Sequence, residues 1–329
     1  MITPGTAMPD TLLVEVNNLV KHFPLARTLG LGPRPLVKAV DGVSFGIRAG
    51  ETLSLVGESG CGKSTTGRAI LQLVVPTSGS VHFEGREITG LPAREIRSLR
   101  QKMQIIFQDP GSTLDQRMTI GDSIAEPLVI HKTIPKKDIP DKVAEIMNLV
   151  SLDPDFRKRY PHEFSGGQRQ RIGIARAIAL SPGFVVCDEP VSALDVSIKS
   201  QILNLLKDLQ GKLNLAYLFI SHDLGVVRQI SDSIAIMYLG RIVEFGQAEV
   251  IFNNPLHPYT RALLSAVPRI EKDKRVEKIL LPGTIPSPIN PPSGCHFHTR
   301  CPEAVDECRG TSPQLKDYGQ VHLCACLRR

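Results

Sequence analysis

Gly57-Glu58-Ser59-Gly60-Cys61-Gly62-Lys63-Ser64-Thr65 follows the short apolar run Thr52 to Val56 and precedes the helix-like stretch Gly67 to Leu73. This is the spacing of a phosphate loop, G-x-x-x-x-G-K-[ST], in the setting such a loop needs, with a strand before it and a helix after it. Glycines let the backbone turn tightly enough to aim successive N–H groups at phosphate oxygens, and the following helix presents the positive end of its dipole. Lys63 would reach the outer phosphates, and the Ser64 hydroxyl suits Mg²⁺, a hard cation that takes oxygen ligands. A glycine-rich turn without a ligand is the plain alternative; the flanking strand and helix argue against it.

Around this loop, 329 residues leave room for about two domains. A hydrophobic share of 42% suffices for an ordinary soluble core. The 39 Lys+Arg against 33 Asp+Glu give a net charge of +6, and from Pro255 onward 11 basic against 7 acidic residues place +4 of it in the last quarter. That excess is too diffuse for nucleic acid, which selects a dense stripe of Lys and Arg, and it would suit an anionic membrane surface or an acidic partner. No apolar segment approaches the roughly 18 residues that cross a bilayer, and the N-terminus lacks a charged-then-apolar leader. The expectation is therefore a soluble, unexported chain. Of the 7 cysteines, five lie between Cys295 and Cys326. In a reducing compartment such a group reads as metal or iron–sulfur ligation before disulfides.

In chain order, strands are expected at Leu12 to Val16, at Leu36 to Ile47 with a turn at Asp41-Gly42, and at Ser80 to Phe83, forming a small, mostly antiparallel sheet. Ala26 to Pro35 reads as a loop insertion and Pro92 to Lys102 as a charged helix. Gln104 to Phe107 is an apolar strand ending at Gln108, and Thr119 to Leu180 is largely helical. Inside that helical stretch, Ser165-Gly166-Gly167-Gln168 is a polar glycine pair ahead of a helix, a second helix N-terminus able to hold an anion or simply a cap. Phe184 to Asp188 is a buried-type strand closing on Asp188-Glu189. Asp188 suits the Mg²⁺ shell and Glu189 can polarise an attacking water, although two acids at a strand end can also be only solvated. Ser192 to Asp195 turns into the long helix Val196 to Leu213. The strand Ala216 to Ile220 then ends at His222, an imidazole able to contact a γ-phosphate and, taken alone, usually structural. Ser233 to Tyr238 and Arg241 to Phe245 read as a hairpin about Leu239-Gly240.

With these residues in order, the chain resembles the ATP-binding subunit of an ABC transporter over roughly Leu12 to Asn253. Phe164 to Gln168 departs from that family's commoner Leu-Ser-Gly-Gly-Gln only at its first apolar position. The resemblance implies an α/β fold: a P-loop NTPase core of ABC type with an antiparallel β subdomain and a helical subdomain. It implies an ATPase domain at 8–253, with the helical subdomain at about 110–181, and a cysteine-containing C-terminal extension at 254–329. It also implies roles. ATP and Mg²⁺ would be held by Gly57, Ser59, Gly60, Cys61, Gly62, Lys63, Ser64, Thr65 and Asp188, and Phe23 would stack on adenine. Gln108 would touch Mg²⁺ or the attacking water; Glu189 and His222 would complete catalysis. Ser165, Gly166, Gly167 and Gln168 would bind the γ-phosphate of ATP held by the other subunit, and Asp195 would cross the interface.

Gly57 to Ser64, Arg159 to Phe164, Ile220 to Leu224 and Asn253 to Leu264 bring the chain closer to the dipeptide and oligopeptide importers. That resemblance implies two permease subunits, a second, related ATPase in a heterodimer, an extracytoplasmic substrate-binding protein, no nucleic acid, and a peripheral place on the cytoplasmic face of the membrane. Other cargos, such as nickel or glutathione, and a soluble ABC ATPase acting on nucleic acid are the alternatives. Ten of the 25 prolines fall between Pro255 and Pro313, and Glu271 to Lys278 reads as a solvated linker. Cys295, Cys301, Cys308 and Cys326 resemble the C-terminal pattern that holds a [4Fe-4S] cluster in some peptide-importer ATPases. Zinc and a metal-free tail stay open, as does Cys324 in place of Cys326 as fourth ligand. Cys61 (beyond its loop backbone) and Cys187 read as small packing residues.

Overall fold

The computed structural model describes residues 12–25, 34–267 and 278–329. The loop expected at Ala26 to Pro35 and the linker expected at Glu271 to Lys278 fall mostly outside the described residues, as does the start of the expected ATPase domain.

The strands are β1 (Leu12–Pro24), β2 (Leu36–Arg48), β3 (Thr52–Val56), β4 (Ser78–Phe83), β5 (Arg86–Glu87), β6 (Met103–Ile106), β7 (Phe184–Asp188), β8 (Ala216–Ser221), β9 (Ser233–Tyr238), β10 (Arg241–Gln247), β11 (Lys316–Asp317) and β12 (Leu323–Cys324). β2-β1-β4-β5 form an antiparallel sheet, and a larger sheet runs β11-β12-β10-β9-β3-β8-β7-β6. The turn expected at Asp41-Gly42 is absent. β2 runs through it because β1 pairs along its whole length, and the glycine is absorbed where the register slips from Leu19↔Val43 to Val20↔Asp41, Gly42 taking φ +83°.

In the larger sheet, β9, β3, β8, β7 and β6 are parallel neighbours. Their strands read as unbroken apolar runs because both faces are covered. Alternate residues part accordingly: Phe184, Val186, Leu218 and Ile220 pack with the antiparallel sheet, whereas Val185, Cys187, Tyr217 and Phe219 pack with the helical side. On that side lie the helices Ile120–His131, Ile139–Leu149 and Gly166–Ile178, contributing Ile124, Leu128, Val143, Met147, Ile172 and Ala175 to one core. This helical layer lies in the chain between β6 and β7, so it can bear on both the Gln108 loop and the Asp188 strand end.

The C-terminal segment completes the sheet. β12 pairs with β10 through Glu244↔Cys324 and Phe245↔Leu323, and β11 caps the edge. Phe297, 1% exposed, packs against Tyr238 and Tyr259 with ring centroids 5.2 and 5.3 Å away. Glu244, fully buried, accepts from the N–H groups of Leu256 (2.7 Å) and His257 (2.9 Å), while His322 Nε2 lies 2.8 Å from its carboxylate. A carboxylate so placed must be satisfied on both oxygens, and the tail supplies part of what it needs. The tail is therefore stitched to the cassette and does not stand beside it.

Candidate nucleotide site

The strand order β3-β8-β7-β6 lays four C-terminal ends side by side, with Val56 level with Ser221, Ile220 with Asp188, and Cys187 with Ile106. The phosphate loop, His222, Asp188-Glu189 and Gln108 consequently stand in one row at the carboxyl edge of the sheet, where open α/β sheets place their ligands.

The loop itself tolerates little change. Gly62 has φ +110°, and a Cβ there would sit 1.9 Å from the Ala39 carbonyl; one on Gly57 would sit 2.2 Å from the Met237 carbonyl. Gly62 leads directly into the helix Lys63–Ile70, which starts four residues earlier than the periodicity suggested. Lys63 is 4% exposed, and its Nζ donates to the carbonyls of Gly57 (2.7 Å) and Glu58 (3.0 Å), so the cation lies folded over its own loop. Ser64 Oγ donates to Asp188 Oδ1 at 2.6 Å, and Arg68 Nη2 is 3.7 Å from Asp188 Oδ2. Burial pushes the Asp188 carboxyl above its usual range, against the pull of Ser64 and Arg68. Two oxygen donors in contact are the ligand type Mg²⁺ takes, an ion bound through one or two side chains plus water and substrate phosphates.

Glu189 has φ +47°, a left-handed backbone that turns its carboxylate out of the strand line at a cost of about 1 kcal/mol. Its Oε2 accepts from Gln108 Nε2 at 3.3 Å and its Oε1 lies 3.3 Å from His222 Nδ1. Gln108, Glu189 and His222 thus form a contiguous polar group beside the phosphate loop. Phe23, at the end of β1, is 37% exposed with Lys21 Nζ 4.9 Å from its ring centroid, so it is a surface aromatic and not a core one.

The second predicted constellation lies apart. Ser165 caps the helix Gly166–Ile178, accepting from Gln168 N at 3.3 Å while Gln168 Oε1 accepts from Ser165 N at 3.0 Å. Gly167 is closed in by Ile198, whose Cγ2 would be 2.6 Å from an added Cβ. Asp195 stands at the N-cap position of the helix Val196–Leu213 without a side-chain capping hydrogen bond and is exposed, as is Val196 at 81%. Among the described residues no hydrogen bond or ion pair joins residues 165–168 or Asp195 to the loop at 57–65, to 188–189 or to His222. The chain carries both halves without bringing them together.

Sequence reasoning missed how the tail meets the loop: the Tyr259 hydroxyl accepts from Glu58 N at 3.0 Å, and Arg300 pairs with the Glu58 carboxylate. No local pattern announces contacts spanning 201 and 242 residues. It also missed Gln170, buried with both amide atoms unpartnered, in a groove shared with Arg100, Gln104, Phe107, Glu126 and Arg176.

All seven cysteines are free. Burial raises the Cys295 thiol, with Cys308 and Cys326 adding to the shift, and pushes Cys301 up to about 11, with Cys295 and Cys326 adding. The Cys295 N–H donates to the Cys308 carbonyl at 2.9 Å, which ties those two stretches of the tail together. Cys324, in β12, is fully buried and sits opposite Glu244 in the strand register. Among the described residues no three Cys, His, Asp or Glu side chains converge as a metal-binding group. The expected cluster thus finds its donor chemistry in the tail but not a formed ligand shell.

Loop, strand-end acids, capped signature helix and sheet order together define an ABC-type ATPase. Residues 40–192 match the ABC transporter family and residues 243–308 the oligopeptide/dipeptide transporter C-terminal region. The chain is 50% identical over 326 residues to the oligopeptide transport ATP-binding protein AppF of Bacillus subtilis, covering 98% of each chain. It is 49% identical to the dipeptide transport ATP-binding protein DppF of Escherichia coli, covering 95% of this chain and 93% of that one. A dimeric ATP-binding cassette in a post-hydrolysis state, bound to ADP and Pi, superposes with a TM-score of 0.63 at 27% identity, covering 71% of this chain and 98% of that one. The chain belongs to the ATP-binding proteins of ABC transporters, in their oligopeptide/dipeptide branch, and its enzymatic activity is ATP hydrolysis. Among the described residues no helix is long and apolar enough to cross a membrane.

Proposed function

We propose that this chain powers the import of di- or oligopeptides, hydrolysing ATP at a site that a second, related ATPase chain completes. The observation that carries the reading is the separation of two phosphate-binding constellations on one chain, one hydrogen-bonded into a row and the other exposed. Peptide cargo rests on the relatives' names and on the matched C-terminal region.

Lys63 would exchange the Gly57 and Glu58 carbonyls for the outer phosphate oxygens, while Ser59, Gly60, Cys61, Gly62 and Thr65 would line the triphosphate with backbone and hydroxyl donors. Ser64 and Asp188, with Gln108, would hold Mg²⁺, which supplies charge neutralisation across the phosphates when bound. Glu189 would align the attacking water and draw off its proton, steadied by Gln108 and His222. Phe23 offers its exposed ring to adenine. Ser165, Gly166, Gly167 and Gln168 would meet the γ-phosphate held by the facing chain, Asp195 lying beside that contact. Nucleotide then binds the paired state better than the separated one, and hydrolysis removes that preference.

Two permease subunits would receive this motion at the groove near Gln104, Phe107 and Gln170, an extracytoplasmic binding protein would deliver cargo, and the chain would sit peripherally on the cytoplasmic face. The ATPase domain is read as 8–253 and the extension as 254–329. Within it, the spacing of Cys295, Cys301, Cys308 and Cys326 and its resemblance to the importers' C-terminal pattern are the grounds for a [4Fe-4S] cluster, with Cys324 the alternative to Cys326 as fourth ligand; iron and acid-labile sulfide in the purified protein test that part.

The test of function is reconstitution with cognate permeases, companion ATPase and binding protein. Peptide should accelerate ATP turnover, and uptake should stop in Glu189→Gln. Turnover that answers to nickel or nucleic acid, and not to peptide, would overturn the cargo.

A further inference from the structure

Glu58, the second residue of the phosphate loop, spends its carboxylate on the C-terminal tail. Its N–H donates to the Tyr259 hydroxyl at 3.0 Å, and its carbonyl accepts from Lys63 Nζ at 3.0 Å and from Cys61 N at 3.3 Å. Its carboxylate accepts a fork of two hydrogen bonds from Arg300 Nη1 (2.7 Å) and Nη2 (3.1 Å). Every polar atom of this residue is therefore engaged. Two of its partners, Tyr259 and Arg300, lie beyond β10, outside the strands that build the nucleotide site.

Those partners are themselves fixed. Arg300 is 6% exposed, and its segment turns back through Arg300 N to Phe297 O at 2.9 Å. Phe297, Tyr259 and Tyr238 are each buried and meet edge-on or tilted, with ring centroids within 5.3 Å of one another. Glu58 in turn holds the Arg300 guanidinium above its ordinary pKa. A forked guanidinium–carboxylate pair fixes orientation as well as distance, which an ammonium cannot do. A phosphate loop binds through N–H groups that must already point at one spot, so whatever fixes its first limb reduces the ordering that nucleotide must impose.

We propose that Arg300 is a positioning residue of the nucleotide site: through its forked pair with Glu58, the C-terminal tail holds the phosphate loop in its triphosphate-binding shape. The inference rests on the phosphate loop being the ATP site. It gives the tail a part in every ATP-binding event, whatever its cysteines hold.

The test uses the full chain, measuring displacement of trinitrophenyl-ATP by Mg-ATP alongside thermal melting. Arg300→Gln and Glu58→Gln should each weaken Mg-ATP binding roughly tenfold, because each leaves one charge of a mostly buried pair uncompensated. The double variant should be no worse than either single one, since the two act through a single contact. Arg300→Lys should recover only part of the loss. Should Arg300→Gln fail to fold, Glu58→Gln, which leaves the tail's side chains in place, carries the test. Singles that bind as the wild type does, or losses that add in the double, overturn the proposal. A wild-type chain with no ATP affinity would sink the nucleotide site as a whole, and this inference with it.

Discussion

Residues 57–65 and residues 165–168 both form helix N-termini fit for an anion, and the fold treats them in opposite ways. The first is anchored into the fold at its base, with Gly57 and Gly62 pressed against backbone carbonyls, Lys63 almost fully buried and Ser64 bonded to Asp188, while Ser59 and Gly60 at its tip are exposed. The second ends at an exposed serine whose partner is its own Gln168. A site enclosed within the chain can bind nucleotide by itself, whereas an exposed cap can act only on a phosphate brought to it from outside. On the proposed reading, the difference is that between half of an active site and the key to another one.

Changes on the enclosed side should act on the chain alone. Glu189→Gln should lower ATP turnover about 1,000-fold while ATP binding persists, because only the proton-accepting group is lost; parallel turnover and binding measurements check this. The tail should behave as part of the enclosed side. Phe297→Ala, which empties the centre of the aromatic group, should cost about 3 kcal/mol of stability in denaturant unfolding.

On the exposed side, Ser165→Ala should slow turnover of the assembled transporter about tenfold, the size expected for one lost charge-assisted hydrogen bond. It should leave ATP affinity of the isolated chain unchanged. A fall in that affinity would erase the distinction between the two regions.

The smallest expected effect concerns pH. His257, fully buried, caps the helix Pro258–Ser265 through Nδ1, which accepts from Tyr259 N at 3.1 Å, and burial depresses its pKa from 6.5 to about 3. The imidazole must be neutral in the fold. Stability tied to it is therefore complete above the unfolded value of 6.5 and is lost as pH falls through the interval toward 3. Between about pH 7.5 and about pH 5.5 the wild type should lose about 1 kcal/mol that His257→Asn, a capping residue without the titration, does not lose.

Much of the enclosed side was legible because its chemistry is written in contiguous residues. A phosphate loop needs glycines at fixed spacing, and Phe184–Asp188 and Ala216–Ser221 show unbroken apolar runs because both faces of their sheet are covered. What the sequence could not convey is the strand order that puts Gln108 and His222 against Glu189, since order depends on long-range pairing. The Asp41-Gly42 turn was misread for the same reason: a glycine at positive φ serves a bulge as well as a reversal, and only the partner strand decides between them. In the tail, β11 and β12 are two residues each, too short for any period to emerge. The place of Cys324 opposite Glu244 is a pairing across 80 residues of chain that spacing does not encode.

The central claim is that nucleotide joins the enclosed half of one chain to the exposed half of another. The most direct measurement is the light-scattering mass of the Glu189→Gln variant mixed with its companion ATPase, with ATP and then with ADP. The account predicts a paired species with ATP that separates with ADP. Chains that remain single in saturating ATP would contradict it.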